Sequence, residues 1–139
     1  MILRVTHQQL KNLEREARNI HPIEACALLF GTVEPTEASV KKVVVAQNVL
    51  ESTTRFEIDT RVFFEAFTEA DKNDMAFLGF FHSHPAEATP SSIDLHFMQL
   101  WGDAIWLILS SSDRRFAAFQ MKNGRSQALI LKVEGKIKE

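Results

Sequence analysis

The chain has 139 residues, which is room for one compact domain of the ordinary ~100–150-residue size. It is 45% hydrophobic and 24% charged, as globular proteins usually are, so extensive disorder is excluded. Sixteen basic and eighteen acidic side chains give a net charge of −2, which argues against a nucleic-acid binder because such proteins normally carry a basic excess. We therefore expect a single domain over residues 1–139.

The sequence has neither a long apolar segment nor more than one cysteine. Its longest apolar runs, such as residues 25–30, are strand-sized and fall short of the ~20 residues that a membrane helix needs. The first ten residues lack the features of a secretory signal, and the single Cys26 excludes an intramolecular disulfide framework. We expect a cytoplasmic protein whose partners are neither membranes nor nucleic acids.

The first predicted helix is the most clearly marked element. Thr6 and Gln9 have the spacing of a capping box, and Val5 and Leu10 are placed as a hydrophobic staple. Apolar residues then recur at helical spacing on one face: Leu10, Leu13, Ala17 and Ile20. Pro22 ends this helix.

The rest of the chain alternates strand and helix signals. Strands are predicted at residues 25–30, 40–49, 75–81, 105–110, 116–122 and 126–133, a polar loop at 48–56, and helices beginning near 59 or 60 and spanning 91–101. Asn123-Gly124 is a strong hairpin signal between the last two strands. This order predicts an α/β (α+β) fold with a single mixed sheet flanked by helices.

Two histidines indicate a metal site. His82 and His84 lie two positions apart at the end of a predicted strand, so that both imidazoles leave the same face. Such a pair can chelate a borderline metal ion such as Zn²⁺, and Asp94 can add a carboxylate oxygen from the first turn of the third helix. Two histidines and one carboxylate leave the fourth tetrahedral position open, as in a catalytic zinc site.

The same residues also have structural interpretations. A His-x-His pair is frequent by chance, and exposed histidines at strand ends usually bind nothing. Asp94 occupies the N3 position of a helix whose predicted N-cap is Ser91, where the helix dipole stabilises an acidic residue. The two interpretations of Asp94 are compatible, since capping would orient the carboxylate as a ligand.

Two motifs carry this chemistry: His82-Ser83-His84-Pro85 and Pro90-Ser91-x-x-Asp94. Together they resemble the metal motif of the JAMM (MPN+) metalloproteases. That family also has an upstream glutamate at the mouth of the strand after the first helix, and residues 21–31 match this segment with Glu24 in the glutamate position. His84 and Asp94 are separated by nine residues, one fewer than the commoner family spacing, and we expect this to reshape the rim of the site and not the metal.

The resemblance covers nearly the whole chain and implies an MPN fold, with layering like that of cytidine deaminases, in a small prokaryotic member of archaeal type. It also implies one Zn²⁺ per chain, bound by His82, His84 and Asp94. The expected activity is hydrolysis of the isopeptide or peptide bond after a ubiquitin-like modifier, and the expected partners are such modifiers and their conjugates.

The resemblance assigns the general base to Glu24. Zinc lowers the pKa of bound water from ~15.7 towards ~7, and Glu24 would take the proton of this water and pass it to the departing amine. We expect the Ser91 hydroxyl to donate to the developing oxyanion, a contribution that is typically worth ~2.7–4 kcal/mol of barrier.

Two alternatives stay open at this point. Some MPN relatives have lost the metal residues and act as protein-interaction scaffolds, although every ligand position is filled here. A cupin would use His82, His84 and Glu87 as a metal triad, but cupins are all-β and three helices are predicted.

Among the remaining residues, we expect Cys26 to be a core residue and His96 to bind no metal. Phe97, Met98 and Trp101 are predicted to pack in the core.

Overall fold

The computed structural model describes residues 1–135, so the last four residues of the predicted domain lie outside the described part of the chain. The elements follow in the order β1 (Ile2–Thr6), α1 (His7–Ile20), β2 (Cys26–Val33), β3 (Glu37–Ala46), α2 (Thr60–Lys72), β4 (Ala76–His84), α3 (Ser92–Leu100), β5 (Ile105–Ser110), β6 (Arg115–Lys122) and β7 (Arg125–Glu134). Every predicted helix and strand is present, with bounds that differ by at most a few residues.

The strands form one mixed sheet that closes on itself in the order β1-β3-β2-β4-β5-β6-β7. The prediction of a single mixed sheet flanked by helices is confirmed. The closure of this sheet was not predicted. β1 closes the ring because it pairs in parallel with both β3 and β7. Its pairing with β3 covers only three positions, from Glu37 to Ser39, so the later part of β3 extends beyond this partner.

The predicted element order was wrong in lacking β1. This strand has only five residues, with two inward positions, Leu3 and Val5, which is too short a pattern to stand out from the helix cap that follows it. Arg4 on the outer face links the strands on both sides of β1: its guanidinium donates to Glu37 of β3 at 2.8 Å and to Glu134 of β7 at 2.6 Å.

The side chains of β2 divide the core into two clusters. Ala27 and Leu29 face one side, with the buried stripe of α1, whereas Leu28 and Phe30 face the other, beneath α2 and α3. This alternation is what the two-residue period of a strand requires. Because both faces of β2 are covered, the strand has an almost continuous apolar sequence.

Local signals in the sequence agree closely with the structure. The Thr6 hydroxyl accepts a hydrogen bond from the Gln9 amide at 3.0 Å, and the Gln9 side chain accepts one from the Thr6 amide at 2.9 Å, which confirms the capping box. At the predicted hairpin, Asn123 and Gly124 both have positive φ angles, 53° and 78°, as a type I′ turn requires.

The third helix differs from the prediction in which side chains it buries. Met98 is fully buried as predicted, but Phe97 and Trp101 are 39% and 42% exposed, so the prediction that they pack in the core was wrong. The helix has only nine residues, and its apolar residues face more than one direction. Within residues 1–135, no helix combines the length and the apolar character that a bilayer crossing needs.

Candidate active site

The end of β4 brings the two histidines of the first motif together. β4 lies between β2 and β5, with His82 opposite Cys26 on one side and Ile108 on the other. His82 and His84 project from the same face, and their Nε2 atoms are 3.0 Å apart. Both side chains are buried. The predicted convergence of the imidazoles is therefore present in the structure.

The N-terminus of α3 places Asp94 against both imidazoles. Ser91 is the N-cap: its hydroxyl accepts a hydrogen bond from the Asp94 amide at 3.1 Å, and Asp94 Oδ2 accepts one from the Ser91 amide at 2.9 Å. The same Oδ2 lies 3.1 Å from His82 Nε2 and 2.9 Å from His84 Nε2. One carboxylate oxygen thus accepts the capping hydrogen bond and also contacts both histidines.

Glu24 reaches the same point from the beginning of β2. It is buried, and one carboxylate oxygen lies within 4.8 Å of ligand atoms of His82 and His84. Glu24 Oε1 makes no hydrogen bond to any group in residues 1–135. β2 is fastened to β4 directly after this residue, since the Ala25 amide donates to the Ser83 hydroxyl at 2.8 Å. A buried acceptor that lacks a protein partner indicates a ligand, a water or a reacting group at this position.

Two overlapping sets of side chains could hold a metal ion. In a tetrahedral zinc site with bonds of about 2.0 Å, ligand atoms are roughly 3.3 Å apart, close to the separations among His82, His84 and Asp94. Glu24 belongs to the wider group, within 4.8 Å of the histidines. Asp94 Oδ2 is within hydrogen-bond distance of both imidazoles and Glu24 Oε1 is not, so the two carboxylates stand differently towards the histidines.

The orientation of His84 also fits a metal centre, whereas the buried His82 Nδ1 has no hydrogen-bond partner within residues 1–135. His84 Nδ1 donates to the carbonyl of Glu87 at 2.9 Å, which leaves the lone pair of Nε2 directed at the site. The ring of His82 is stacked against Phe56, with centroids 4.9 Å apart and an angle of 25° between the planes. The donor set of two imidazole nitrogens and one carboxylate oxygen is one of those found in catalytic zinc sites.

The local environment shifts the pKa of each charged group. Burial raises the pKa of Glu24 from 4.5 to about 8, an effect that the Asp94 charge increases and His84 reduces. Burial also opposes ionisation of Asp94, yet hydrogen bonds from both histidines and the Ser91 amide hold its pKa well below the usual range. Complete burial lowers the pKa of His82. For His84, burial acts in the same direction but Asp94 outweighs it, so the pKa is raised.

An apolar groove of about 860 Å³ opens beside Asp94, between α2, α3 and the loop after β3. Its walls are largely aromatic and include Phe56, Phe63, Phe97 and Trp101. The exposure of Phe97 and Trp101 follows from this position, because they line an open groove and not the interior. The residues that sequence reasoning missed are therefore the groove aromatics. The one sequence feature that could have indicated them is the aromatic content, eleven phenylalanines with no tyrosine.

The other candidate residues lie outside the group. Glu87 is exposed and contributes its backbone carbonyl to His84, and His96 is exposed on α3. Cys26 is buried as predicted, and burial with the nearby Glu24 raises the pKa of its thiol to about 12. Since the thiolate is the reactive form, Cys26 is an inert core residue.

Comparison with known proteins places this geometry in a family. The family model of prokaryotic homologs of the JAB domain matches residues 6–126. The chain belongs to this family. The resemblance to the JAMM (MPN+) proteases is thereby confirmed, and the cupin alternative is wrong.

Relatives of this JAB-family chain include proteins with named activities. It is 35% identical over 118 residues to a desampylase from Pyrococcus furiosus, covering 84% of this chain and 73% of the relative. It is 27% identical over 113 residues to the human AMSH-like protease, covering 78% of this chain but only 25% of that protein. A solution structure of a protein from Desulfitobacterium hafniense superposes with a TM-score of 0.86 at 27% identity, covering 99% of this chain and 96% of the other.

Proposed function

We propose that this JAB-family protein is a Zn²⁺-dependent peptidase or isopeptidase that hydrolyses the bond after a ubiquitin-like modifier. The observation that carries the proposal is the convergence of His82, His84 and Asp94 on one point, with the unpaired Glu24 beside them. The names of the relatives, a desampylase and an AMSH-like protease, support the class of substrate. We further propose that residues 1–139 form one such domain and act in the cytoplasm.

Each residue of the site has a distinct role in this proposal. His82 Nε2, His84 Nε2 and Asp94 Oδ2 would hold the zinc ion. When bound, zinc supplies Lewis-acid polarisation of the scissile carbonyl and makes water nucleophilic at neutral pH. Glu24 takes up a proton at Oε1 and returns it to the departing amine. Burial raises the pKa of this carboxyl group, so that it holds a proton more readily than an exposed glutamate and is suited to carry one to the amine.

Ser91 assists through its hydroxyl hydrogen. Its oxygen accepts the Asp94 amide, so the hydrogen stays available to donate to the oxyanion that forms on the substrate carbonyl. The loss of one such donor typically costs ~2.7–4 kcal/mol of barrier. Ser91 therefore combines a capping role with a catalytic one.

We propose that the extended tail of the modifier binds in the apolar groove. Asp94 is one of its lining residues, so a chain lying along the groove could present its terminal carbonyl beside the proposed metal ligands. Aromatic walls bind an extended segment by burying its apolar side chains, and a few backbone hydrogen bonds fix its direction. The loop after β3 contributes Leu50, Arg55 and Phe56 to it.

A cleavage assay tests the proposal. The purified protein is incubated with fusions and isopeptide conjugates of small prokaryotic ubiquitin-like modifiers, with zinc and with a chelator. We expect cleavage after the modifier's last residue, abolished by the chelator and restored by Zn²⁺. Glu24→Gln should retain zinc and fold but cleave at least about 100-fold more slowly, because the proton acceptor is lost. Glu87→Gln is the matched control and should cleave like the wild type.

Two results would count against the proposal. Cleavage at the wild-type rate by Glu24→Gln would remove Glu24 from the mechanism. A wild-type protein that binds modifiers but neither retains zinc nor cleaves any of the substrates would be an MPN-type interaction scaffold.

A further inference from the structure

The loop between β3 and α2 is built around one buried polar side chain, that of Asn48. Its Nδ2 donates to the carbonyl oxygens of Glu24 and Arg55, both at 3.0 Å. Its Oδ1 accepts from the amides of Leu50 at 3.1 Å and Glu57 at 3.3 Å. Since carbonyls can only accept and amides can only donate, these four partners also fix which way the carboxamide points. Asn48 is only 3% exposed.

One of these bonds reaches the backbone of the proposed general base. Asn48 Nδ2 holds the carbonyl of Glu24, and the amide of Glu24 donates to the carbonyl of Ser52 in the same loop at 2.9 Å. Both polar backbone groups of Glu24 are therefore bound by the loop, one of them through the Asn48 side chain. Oε1 of the Glu24 carboxylate has no hydrogen bond within residues 1–135 that could fix its position.

The other bonds hold the part of the loop that faces the metal ligands. Arg55 and Glu57, which Asn48 binds, flank Phe56, and the ring of Phe56 is stacked on the imidazole of His82. Val49 donates to the Glu57 carbonyl at 3.0 Å and closes the base of the loop. The loop lacks helix and strand, so this network supplies the order that regular secondary structure supplies elsewhere.

We propose that Asn48 is a positioning residue for the reaction: it sets the backbone of Glu24 so that the carboxylate faces the histidines, and it ties this residue to the wall of the groove. The inference rests on the proposed function, since it concerns the base of that reaction. The carboxamide is suited to the role because it supplies two donors and two acceptor positions on one short, rigid group.

Asn48→Asp is the most specific test of this positioning role. It keeps the volume of the side chain and the acceptor for Leu50 and Glu57, but it replaces the donor by an oxygen that faces the carbonyls of Glu24 and Arg55. Gln47→Glu is the matched control, because it makes the same amide-to-acid change at the preceding, exposed residue. Should Asn48→Asp fail to fold, Asn48→Ala takes its place in the same measurements, since it removes the donors without opposing the two carbonyls.

Amide hydrogen exchange in the zinc-free protein tests the placement without any catalysis. In Asn48→Asp we expect the Glu24 amide to exchange at least about tenfold faster, because the loop that holds it opens more often. Amides of β5 report global stability and should change much less. In Gln47→Glu the Glu24 amide should exchange as in the wild type. Unchanged exchange of the Glu24 amide in the Asn48 variant would overturn the inference.

A double-mutant cycle tests the catalytic consequence. We expect Asn48→Asp to lower kcat by about 30- to 100-fold, since a misplacement of about 1 Å can cost ~10²-fold. Zinc affinity should stay within about threefold of the wild type, because the three ligands are untouched. In the Glu24→Gln background, single-turnover cleavage should fall by less than about threefold on adding Asn48→Asp, because the group that Asn48 positions is already disabled.

The outcomes separate this inference from the proposed function. An equal loss in both backgrounds would mean that Asn48 acts on stability and not through Glu24, and would overturn the positioning role. If the wild-type protein with zinc cleaves no modifier conjugate, the proposed function fails, and the tie between Asn48 and Glu24 is decided by amide exchange alone.

Discussion

At the scale of single residues, Asp94 makes three polar contacts through one carboxylate oxygen. Its Oδ2 accepts the Ser91 amide and lies within 3.1 Å of both imidazole nitrogens. These contacts hold the pKa of the carboxyl group well below its usual range, so it is ionised wherever the protein is folded near neutral pH. A carboxylate that the helix N-terminus has already oriented loses little conformational freedom on binding a metal ion.

Removal of the Asp94 carboxylate should release the metal. For Asp94→Ala we expect zinc affinity to fall by at least about 100-fold, since even residues that only support a metal ligand contribute ~10–100-fold. Glu87→Gln should retain one zinc per chain. Elemental analysis of the proteins after dialysis without chelator measures both, and a full zinc complement in Asp94→Ala would contradict the ligand assignment.

We expect the stability of the zinc-free protein and the affinity for zinc to change in opposite directions with pH. Glu24 and His84 have raised pKa values in the folded state, so their contribution to stability is present at low pH and is lost as the pH rises, for Glu24 between 4.5 and about 8. The lowered pKa of His82 acts against this trend, chiefly below its ordinary value of 6.5. Zinc affinity changes in the other direction, because ligating histidines must be neutral.

Thermal unfolding at pH 5.5 and pH 8 measures both trends. The zinc-free protein should have the lower Tm at pH 8, and the rise in Tm on adding zinc should be larger at pH 8 than at pH 5.5. Glu24→Gln should flatten the trend of the zinc-free protein. A zinc-induced rise in Tm that is equal at the two pH values would argue against histidine ligation.

The site residues differ in how far the sequence could predict them. His82, His84 and Asp94 carry a spacing that geometry alone translates into convergence, and the structure brings them together. Glu24 needed the family resemblance, because a lone glutamate before a strand has no distinguishing pattern. Asn48 had no such signal, since its four partners are backbone groups of one loop that only the fold brings within reach.

At the scale of elements, the position of the histidines depends on how closely β4 packs against its neighbour. Gly79 is paired with Ile105 of β5, and a Cβ atom at this residue would lie 1.8 Å from the Ile105 carbonyl oxygen. The carbonyl belongs to the backbone of a buried strand and cannot turn aside. This close approach sets the lateral position of β4 and hence of the two proposed metal ligands at its end.

Gly79→Ala should therefore be severely destabilising. We expect a loss of at least about 3 kcal/mol in the free energy of unfolding, the upper end of overpacking costs, because two strands must separate. Gly124→Ala is the control: it lies in open space in the final hairpin, and its positive φ predicts a loss of about 1 kcal/mol. Urea unfolding compares the two, and equal losses would show that β4 and β5 can move apart at little cost.

The sequence predicted a helix or strand correctly wherever it contained a helix cap, a turn motif or a long hydrophobic period. The capping boxes at Thr6 and Ser91 and the turn at Asn123-Gly124 are interactions between residues three or fewer positions apart, and all three are present. β1 was missed because it is stabilised by pairing with β3 and β7, which are distant in sequence. Local patterns do not encode such partners.

At the scale of the whole molecule, the groove beside the site is a joint product of α2, α3 and the loop after β3. No single segment predicted it, since the aromatic residues that line it have the spacing of ordinary core positions. Phe64 of α2 is 70% exposed at this groove, and Phe97 of α3 is 39% exposed. Side chains of this size in an open groove are typical of a binding surface.

Shortening a groove aromatic should weaken substrate binding and leave the chemistry intact. For Phe97→Ala we expect KM for a modifier conjugate to rise by about tenfold with kcat within about threefold, because the lost contact is made in both ground and transition states. Ile130→Ala is the control, since Ile130 is 66% exposed on β7 and does not line the groove. Steady-state kinetics distinguish this from the Asn48 variants, in which kcat falls.

The closing strand β1 has a consequence for how the chain acquires its shape during synthesis. Ile2 is synthesised well before Ile130, with which it pairs, so this contact must wait until synthesis has passed residue 130. Pairings this remote in sequence form slowly, because loop-closure entropy is lost before they contribute. The five proposed site residues all lie between positions 24 and 94. We therefore expect a nascent chain to assemble its reactive centre before the ring of strands is complete.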